Sequence, residues 1–459
     1  MRLGASPLLA LLAYLFLFAL PAWLAFRLRH RRAEAVGWAL FLLVMLPATI
    51  RLDFEGGLPA LTVHRLILAV LAAYWLTWPG RYPWRKLPCL GLFIGLLLGQ
   101  IISSVFSTVP MDSFKQSLSV AFEMFALYAI MGTLPFAAKD WQSVLRRVAL
   151  GYGVVALAAF GEKYLQVNIF HTLLGTADTA SLAKEAHASY THRIMLGYGM
   201  ALGLAVSLGM HGMSASRRDR WFYAGLAALN IGGCYFSNSR GPWLGLILVS
   251  GTIFLFGPRQ TRSLLLAMLG LALITLALRP GIRDTLLGLT NMTFESETLK
   301  GKSYSYRWQL WQVAAAEVNK SPVRFLFGYG GGSTDHLDLS DYFEPQAGGA
   351  TGLLGHTSFD NQYASDLLEF GWIGLLLRGA LYLSLGWFGF RTLRLVGQRG
   401  LAAGLFAVLV VVFFAGSNVS IFAPQIMYAF WASAGLLVSL RRLAVRQPVD
   451  EEPAAVVAP

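Results

Sequence analysis

The feature that most constrains this chain is a succession of apolar runs of bilayer-crossing length, interrupted by short basic clusters. The runs fall at about Leu8–Phe26, Val36–Ile50, Leu61–Trp78, Leu87–Ser104, Ser117–Phe136, Val148–Leu165, Ile194–His211, Trp221–Phe236, Gly241–Phe256, Leu264–Leu278, Tyr363–Phe390, Leu401–Ser417 and Ala423–Leu440. A helix needs about 20 such residues to cross a hydrocarbon core. Only 13% of the residues are charged, against roughly 25% in soluble domains, so a soluble interior does not account for the runs. The sequence predicts an all-α, polytopic membrane bundle of about 12–13 transmembrane helices.

The basic clusters decide what the net charge of +13 means. They lie at residues 27–32, at Arg81/Arg85/Lys86, Lys139/Arg146/Arg147, Arg217/Arg218/Arg220, Arg259/Arg262, Arg391/Arg394/Arg399 and Arg441/Arg442/Arg446, each separated from the next by two apolar runs. Basic loops are retained on the cytoplasmic side during insertion. The charge therefore reports topology and contact with membrane lipids, with no nucleic acid as partner. The run Leu8–Phe26 is followed by basic residues and not by a small-residue cleavage site, so it reads as a retained span. An odd span count puts the N-terminus outside, an even one inside. Cys89 and Cys234 fall in or near different runs without metal-ligand spacing and read as apolar thiols. The expected division is an N-terminal bundle of about ten helices (1–278), an outward loop containing short helices (279–362), C-terminal helices (363–440) and a Pro- and Ala-rich cytoplasmic tail (441–459).

A connection as long as 279–362 usually has a task, and this one is rich in aromatic residues, unlike a disordered segment. With the topology above, its chemistry meets that of two other outward connections. One is the tight turn SNSRGPW, where Gly241 and Pro242 suit a reversal into a helix. Its Arg240 either snorkels to the interface or meets an anionic partner. The other carries Lys184, Glu185, His187, His192 and Arg193, a solvated cluster or a contributor to the site. Within the long loop, Trp308, Trp311, Ala315 and Val318 recur at helical spacing and the helix should end before Pro322, with Arg307 near its start. FLFGYGGG (325–332) reads as a flexible loop or as a phosphate cradle. His356 and Asp360 can supply a general base and its orienting partner; equally, Ser358 or Asp360 can cap the next helix. No HExxH, Cys/His metal spacing or P-loop is present, so no metal or cofactor is expected.

The motifs SRGPWLG (239–245), R-W-x2-W leading to P-x4-FGYG (307–330) and DN-x9-G-x2-G (360–374), in this order among about a dozen spans, resemble the O-antigen ligase and polymerase superfamily of bacterial envelope glycan transferases. The resemblance implies a GT-C-like membrane glycosyltransferase, multi-pass in the bacterial inner (plasma) membrane with its site facing the periplasm. Such enzymes transfer a glycan from undecaprenyl diphosphate with inversion and without metal. It implies diphosphate-binding roles for Arg240 and Arg307. Ligases carry His followed by Asn, Ser or Gln before the nine-residue spacer; here Asp360 and Asn361 stand in those places, and His356 lies one helical turn earlier. That departure favours a polymerase of O-antigen or exopolysaccharide over a ligase that delivers glycan to lipid A core.

The expected assignment is therefore Asp360 or His356 as base and Arg240 and Arg307 on the diphosphate. Asn361, Arg193, Tyr304, Trp308 and Trp311 would support them, the aromatics by stacking on sugar rings. The expected partners are the lipid-linked glycan donor, a glycan or lipid acceptor and a chain-length regulator protein. A lipid-linked glycan flippase is the rival from another class; it requires charged residues lining a path within the spans, for which Glu123 and Glu162 are candidates.

Overall fold

The structure, a computed structural model, describes residues 7–52, 60–170, 185–278, 299–339, 342, 359–395, 399–419 and 424–446. His356, Ser358, Lys184 and the tail from 447 onward lie outside the described residues. The helices are α1 (Pro7–His30), α2 (Arg32–Met45), α3 (Val63–Thr77), α4 (Leu90–Val105), α5 (Pro110–Val120), α6 (Ala126–Thr133), α7 (Ala138–Leu165), α8 (Arg193–Met213), α9 (Arg217–Phe236), α10 (Arg240–Phe256), α11 (Arg259–Leu278), α12 (Leu299–Val318), α13 (Pro322–Phe327), α14 (Gln362–Leu393), α15 (Arg399–Ala415) and α16 (Pro424–Arg446). A π-helical turn, Ala121–Phe125, joins α5 to α6, and two-residue strands β1 (Arg51–Leu52) and β2 (Leu61–Thr62) pair antiparallel.

Every apolar run of the sequence coincides with a helix or, for Ser117–Phe136, with α5, the π-turn and α6 in sequence. Among the described residues α7, α8 and α14 are long and apolar enough to cross a membrane on their own, while α3, α4, α10 and α15 are apolar and shorter. The outward faces of α10, α11 and α14 expose Ile247, Leu255, Leu266, Leu269 and Leu383. Water would penalise such a surface, whereas lipid tails do not distinguish it from a core. This is an all-α integral membrane fold. Helix α8 is its axis, buried along nearly its whole length and packed on α7, α9, α10 and α15.

A second, smaller core forms where α12 and the segment after it dock on the first half of α14. It contains Leu310, Val313, Ala314, Val318, Tyr329, Phe359, Leu367 and Leu368. Two expectations are corrected here. The loop helix starts at Leu299, so Arg307 stands mid-helix and not near its start; from Tyr306 and Leu310 onward the helix packs into the second core, which stabilises it beyond local propensity. The FLFGYGGG segment is also not a free loop. Tyr329 and Gly330 donate their amides to the carbonyls of Leu368 and Glu369 at 2.9 and 2.7 Å, and the Glu369 carboxylate accepts from Gly332 N at 3.0 Å and Thr334 Oγ1 at 2.8 Å.

Helix α14 can receive this segment because it is kinked at Gly371, where φ is +64°. The backbones touch there. A Cβ on Gly371 would lie 2.5 Å from the Leu326 carbonyl, and one on Gly328 would lie 2.5 Å from that of Glu369. The glycines of the FGYG and G-x2-G motifs thus form one mutual contact. A buried ion pair, Asp366 with Arg378, ties the two sides of the kink, with Gln362 Nε2 donating to Asp366 at 2.9 Å. In an apolar surround such charges persist only when paired.

Candidate functional site

Four elements that are distant in sequence converge at the end of the bundle opposite the basic clusters. The ordered turn 185–192 leads into α8. Its Ala186 amide donates to the last carbonyl of α9, Phe236 O, at 3.1 Å. Glu162, buried near the end of α7, accepts from the amides of His187 and Ala188 at 3.0 and 2.7 Å. Asn168 Nδ2 adds a bond to Ala188 O at 3.0 Å. The turn is ordered, with Ala186, Ala188, Ser189 and Tyr190 buried beneath it, while Glu185, His187, His192 and Arg193 stay part- or fully exposed. Glu162 holds a turn by its backbone, and Glu123 accepts from Arg65 Nε at 2.7 Å and Tyr428 Oη at 2.8 Å. Both spans' carboxylates thus have structural partners.

The turn delivers Arg193, paired with Glu185, to the mouth of the site. Arg240 begins α10, and the charges of Arg307 and Arg193 both act on it. Arg307 reaches across from α12, its Nε donating to Asn418 O after α15 at 2.7 Å. Three half-buried guanidiniums from three elements therefore lie within electrostatic range of one another, with Glu185 already paired to Arg193.

Asp360 lies at the start of α14 beside them. It acts on Tyr306, whose hydroxyl is pushed up to about 12 by burial and then by the Asp360 charge, with Arg307 pulling the other way. It also acts on His192. Partial burial, then the charges of Arg193 and His187, lower that imidazole, while Asp360 and Glu185 oppose the shift. The neutral ring accepts the Ile194 amide on Nδ1 at 3.3 Å, which leaves the proton on Nε2 as a donor. The helix cap is Asn361, not Ser358 or Asp360: its Oδ1 accepts from Tyr363 N and Ala364 N, both at 3.1 Å. Asp360 is thereby released from a capping role.

The aromatic candidates divide. Trp308 is 66% exposed, whereas Trp311 packs against the second core. Tyr304 is on α12, but its side chain lies outside the described residues. Sequence reasoning passed over Tyr198 on α8, a fully buried phenol without a hydrogen-bond partner among the described residues. The Arg307 charge acts on it, and a Cβ on Gly241 would come within 2.8 Å of its hydroxyl. In one dimension it is only a tyrosine in an apolar run. Among the described residues no three His, Cys, Asp or Glu side chains gather as a metal site would require.

Taken together, the guanidiniums can bind a diphosphate, the carboxylate can accept a proton, and Trp308 can cover a sugar face. A family model described as O-antigen ligase matches residues 225–379, about a third of the chain. The match takes in Arg240, Arg307 and Asp360 and bears out the resemblance seen in the motifs. No curated protein matches the chain.

Proposed function

We propose that this chain, a membrane protein of the O-antigen ligase and polymerase superfamily by the domain at residues 225–379, is an inverting glycosyltransferase that lengthens O-antigen or exopolysaccharide on the periplasmic face of a bacterial inner membrane. The donor is a glycan on undecaprenyl diphosphate. The acceptor is the hydroxyl of a second lipid-linked unit. The observation that carries the reading is the convergence of Arg240 and Arg307, with Arg193 behind them, beside Asp360.

In the transfer, the acceptor oxygen bonds to the anomeric carbon from the face opposite the diphosphate, and the bond between that carbon and the diphosphate oxygen breaks. The departing undecaprenyl diphosphate keeps the electron pair, and the hydroxyl proton passes to the Asp360 carboxylate. Arg240 and Arg307 stabilise the charge that grows on the leaving group, and preorganised charge of this kind often does more than any other effect to lower such barriers. Trp308 stacks on a sugar ring and limits water, whose attack would waste the donor. Asp360 in the position where ligases carry His favours the polymerase over transfer to lipid A core.

The test is purified protein with undecaprenyl-diphosphate-linked repeat units alone, and with lipid A core in a parallel tube, products separated by size. A ladder without core supports the polymerase. Product only with core makes the protein a ligase; no product in either tube removes the transferase assignment.

A further inference from the structure

At the other end of the bundle, where the basic clusters lie, α2, α7, α8 and α9 surround a cavity of about 630 Å³. This is within the roughly 300–1,000 Å³ typical of small-molecule sites. Lys139, Ser143, Arg146, Arg147 and Leu150 line it from one face of α7, at spacings that successive helical turns bring into register. The opposite wall contains Met210, Met213 and Tyr223, with Trp38 from α2 closing one side. The cavity thus has a cationic side and a side where Met210, Met213 and Tyr223 form an apolar strip flanked by Ser214, Ser216 and Asp219.

The positive charge is only partly compensated. Arg147 bonds Ser143 Oγ at 2.7 Å and reaches Glu34 at 3.5 Å, but the same Glu34 carboxylate also serves Arg31 at 3.6 Å. Lys139 and Arg146 are exposed, Arg146 lying over the Phe222 ring at 5.9 Å. Asp219 is the one carboxylate on the wall, against three cations.

We propose that this cavity is a specific site for the headgroup of an anionic phospholipid from the leaflet that meets the basic end. The phosphate sits between Lys139, Arg146 and Ser143, and the glycerol and first acyl carbons lie along Met210, Met213 and Tyr223. A free phosphate would leave the apolar strip unused. A zwitterionic lipid would bring a second cation toward Lys139 and Arg146. The inference is independent of the transfer reaction, which uses the opposite end.

The test is native mass spectrometry of the full-length protein in neutral detergent, titrated with phosphatidylglycerol, phosphatidylcholine or inorganic phosphate. One saturable phosphatidylglycerol should bind in preference to phosphatidylcholine, and inorganic phosphate at equal concentration should not displace it. The double variant Lys139→Gln/Arg146→Gln should weaken phosphatidylglycerol by roughly 30-fold, given what each basic side chain contributes near an anionic lipid. Arg217→Gln/Arg218→Gln, which alters exposed charges at the same end but not the cavity wall, should leave it unchanged. Leu150→Trp fills the cavity without altering charge and should also remove the saturable lipid, a check that survives if the charge variant folds poorly. Equal weakening by both charge pairs, no effect of Lys139→Gln/Arg146→Gln, lipid retained in Leu150→Trp, or displacement by phosphate would each overturn the proposal.

Discussion

Gly371→Ala tests whether the mutual glycine contact holds the loop on α14. Gly371 has φ +64° and ψ −169°, a region open essentially to glycine alone, where a side chain costs about 1–3 kcal/mol. Its new Cβ would lie 2.5 Å from the carbonyl carbon and oxygen of Leu326 and 2.6 Å from Phe327 N. These are backbone atoms and cannot rotate away, so overpacking adds about 1–3 kcal/mol. The total is about 2–6 kcal/mol, a large part of the 5–15 kcal/mol typical of a folded domain. Gly379 in the same helix is the control, because an added Cβ meets nothing within 4 Å and alanine there should gain about 0.5–1 kcal/mol. Melting of the detergent-solubilised variants should therefore separate them clearly. Hydrogen exchange should show Tyr329 and Gly330 amides losing protection in Gly371→Ala. The double variant Gly328→Ala/Gly371→Ala should cost much less than the sum of the singles, since both break one contact. If Gly371→Ala melts with Gly379→Ala, or the two amides stay protected, the contact does not hold the segment.

Three further outcomes follow from the site and its supports. Arg240→Ala should lower glycan transfer by about 10²–10³-fold, the loss seen when one preorganised transition-state donor is removed, with melting little changed; wild-type rates would take Arg240 out of the mechanism. Glu162→Ala should free the turn 185–192 by removing two charge-assisted bonds worth about 1.5–3 kcal/mol each, read as faster amide exchange at His187 and Ala188, and unchanged exchange would refute its anchoring role. Docking of α12 should weaken in acid. Burial alone would raise the Glu317 carboxyl, but hydrogen bonds from Lys320, Tyr342 and Tyr329 outweigh it and hold it below its usual 4.5. A depressed carboxyl contributes stability that is present above 4.5 and lost as pH falls through its folded value. Proteolysis of the loop should rise below pH 4.5 in the wild type, and a Glu317→Gln variant with the same pH response would show that another group is responsible.

Much of the fold was legible because membrane insertion is a one-dimensional code. Apolar run length and the positions of arginines are enough to place helices and their ends, and every run from Leu8–Phe26 to Ala423–Leu440 coincides with helix. The family resemblance was legible for a related reason: the motifs around Arg240, Arg307 and Asp360 keep a fixed order, and the family match at residues 225–379 spans all three. The kink at Gly371 and the docking of Gly328 were not legible, since a glycine's φ depends on which backbone approaches it. Nor was the distinction between Trp308 and Trp311, which turns on the face that α14 covers.

What the sequence by itself determined is an all-α membrane bundle with chemistry gathered in its polar connections, because the cost of burying charge and backbone in lipid leaves few alternatives. What only the tertiary structure decided is which connections meet. Glu162 on α7 fixes the turn before α8, α14 carries α12, and those two supports place Arg193 and Arg307 within electrostatic range of Arg240. Contacts between segments this far apart depend on packing that no local pattern encodes.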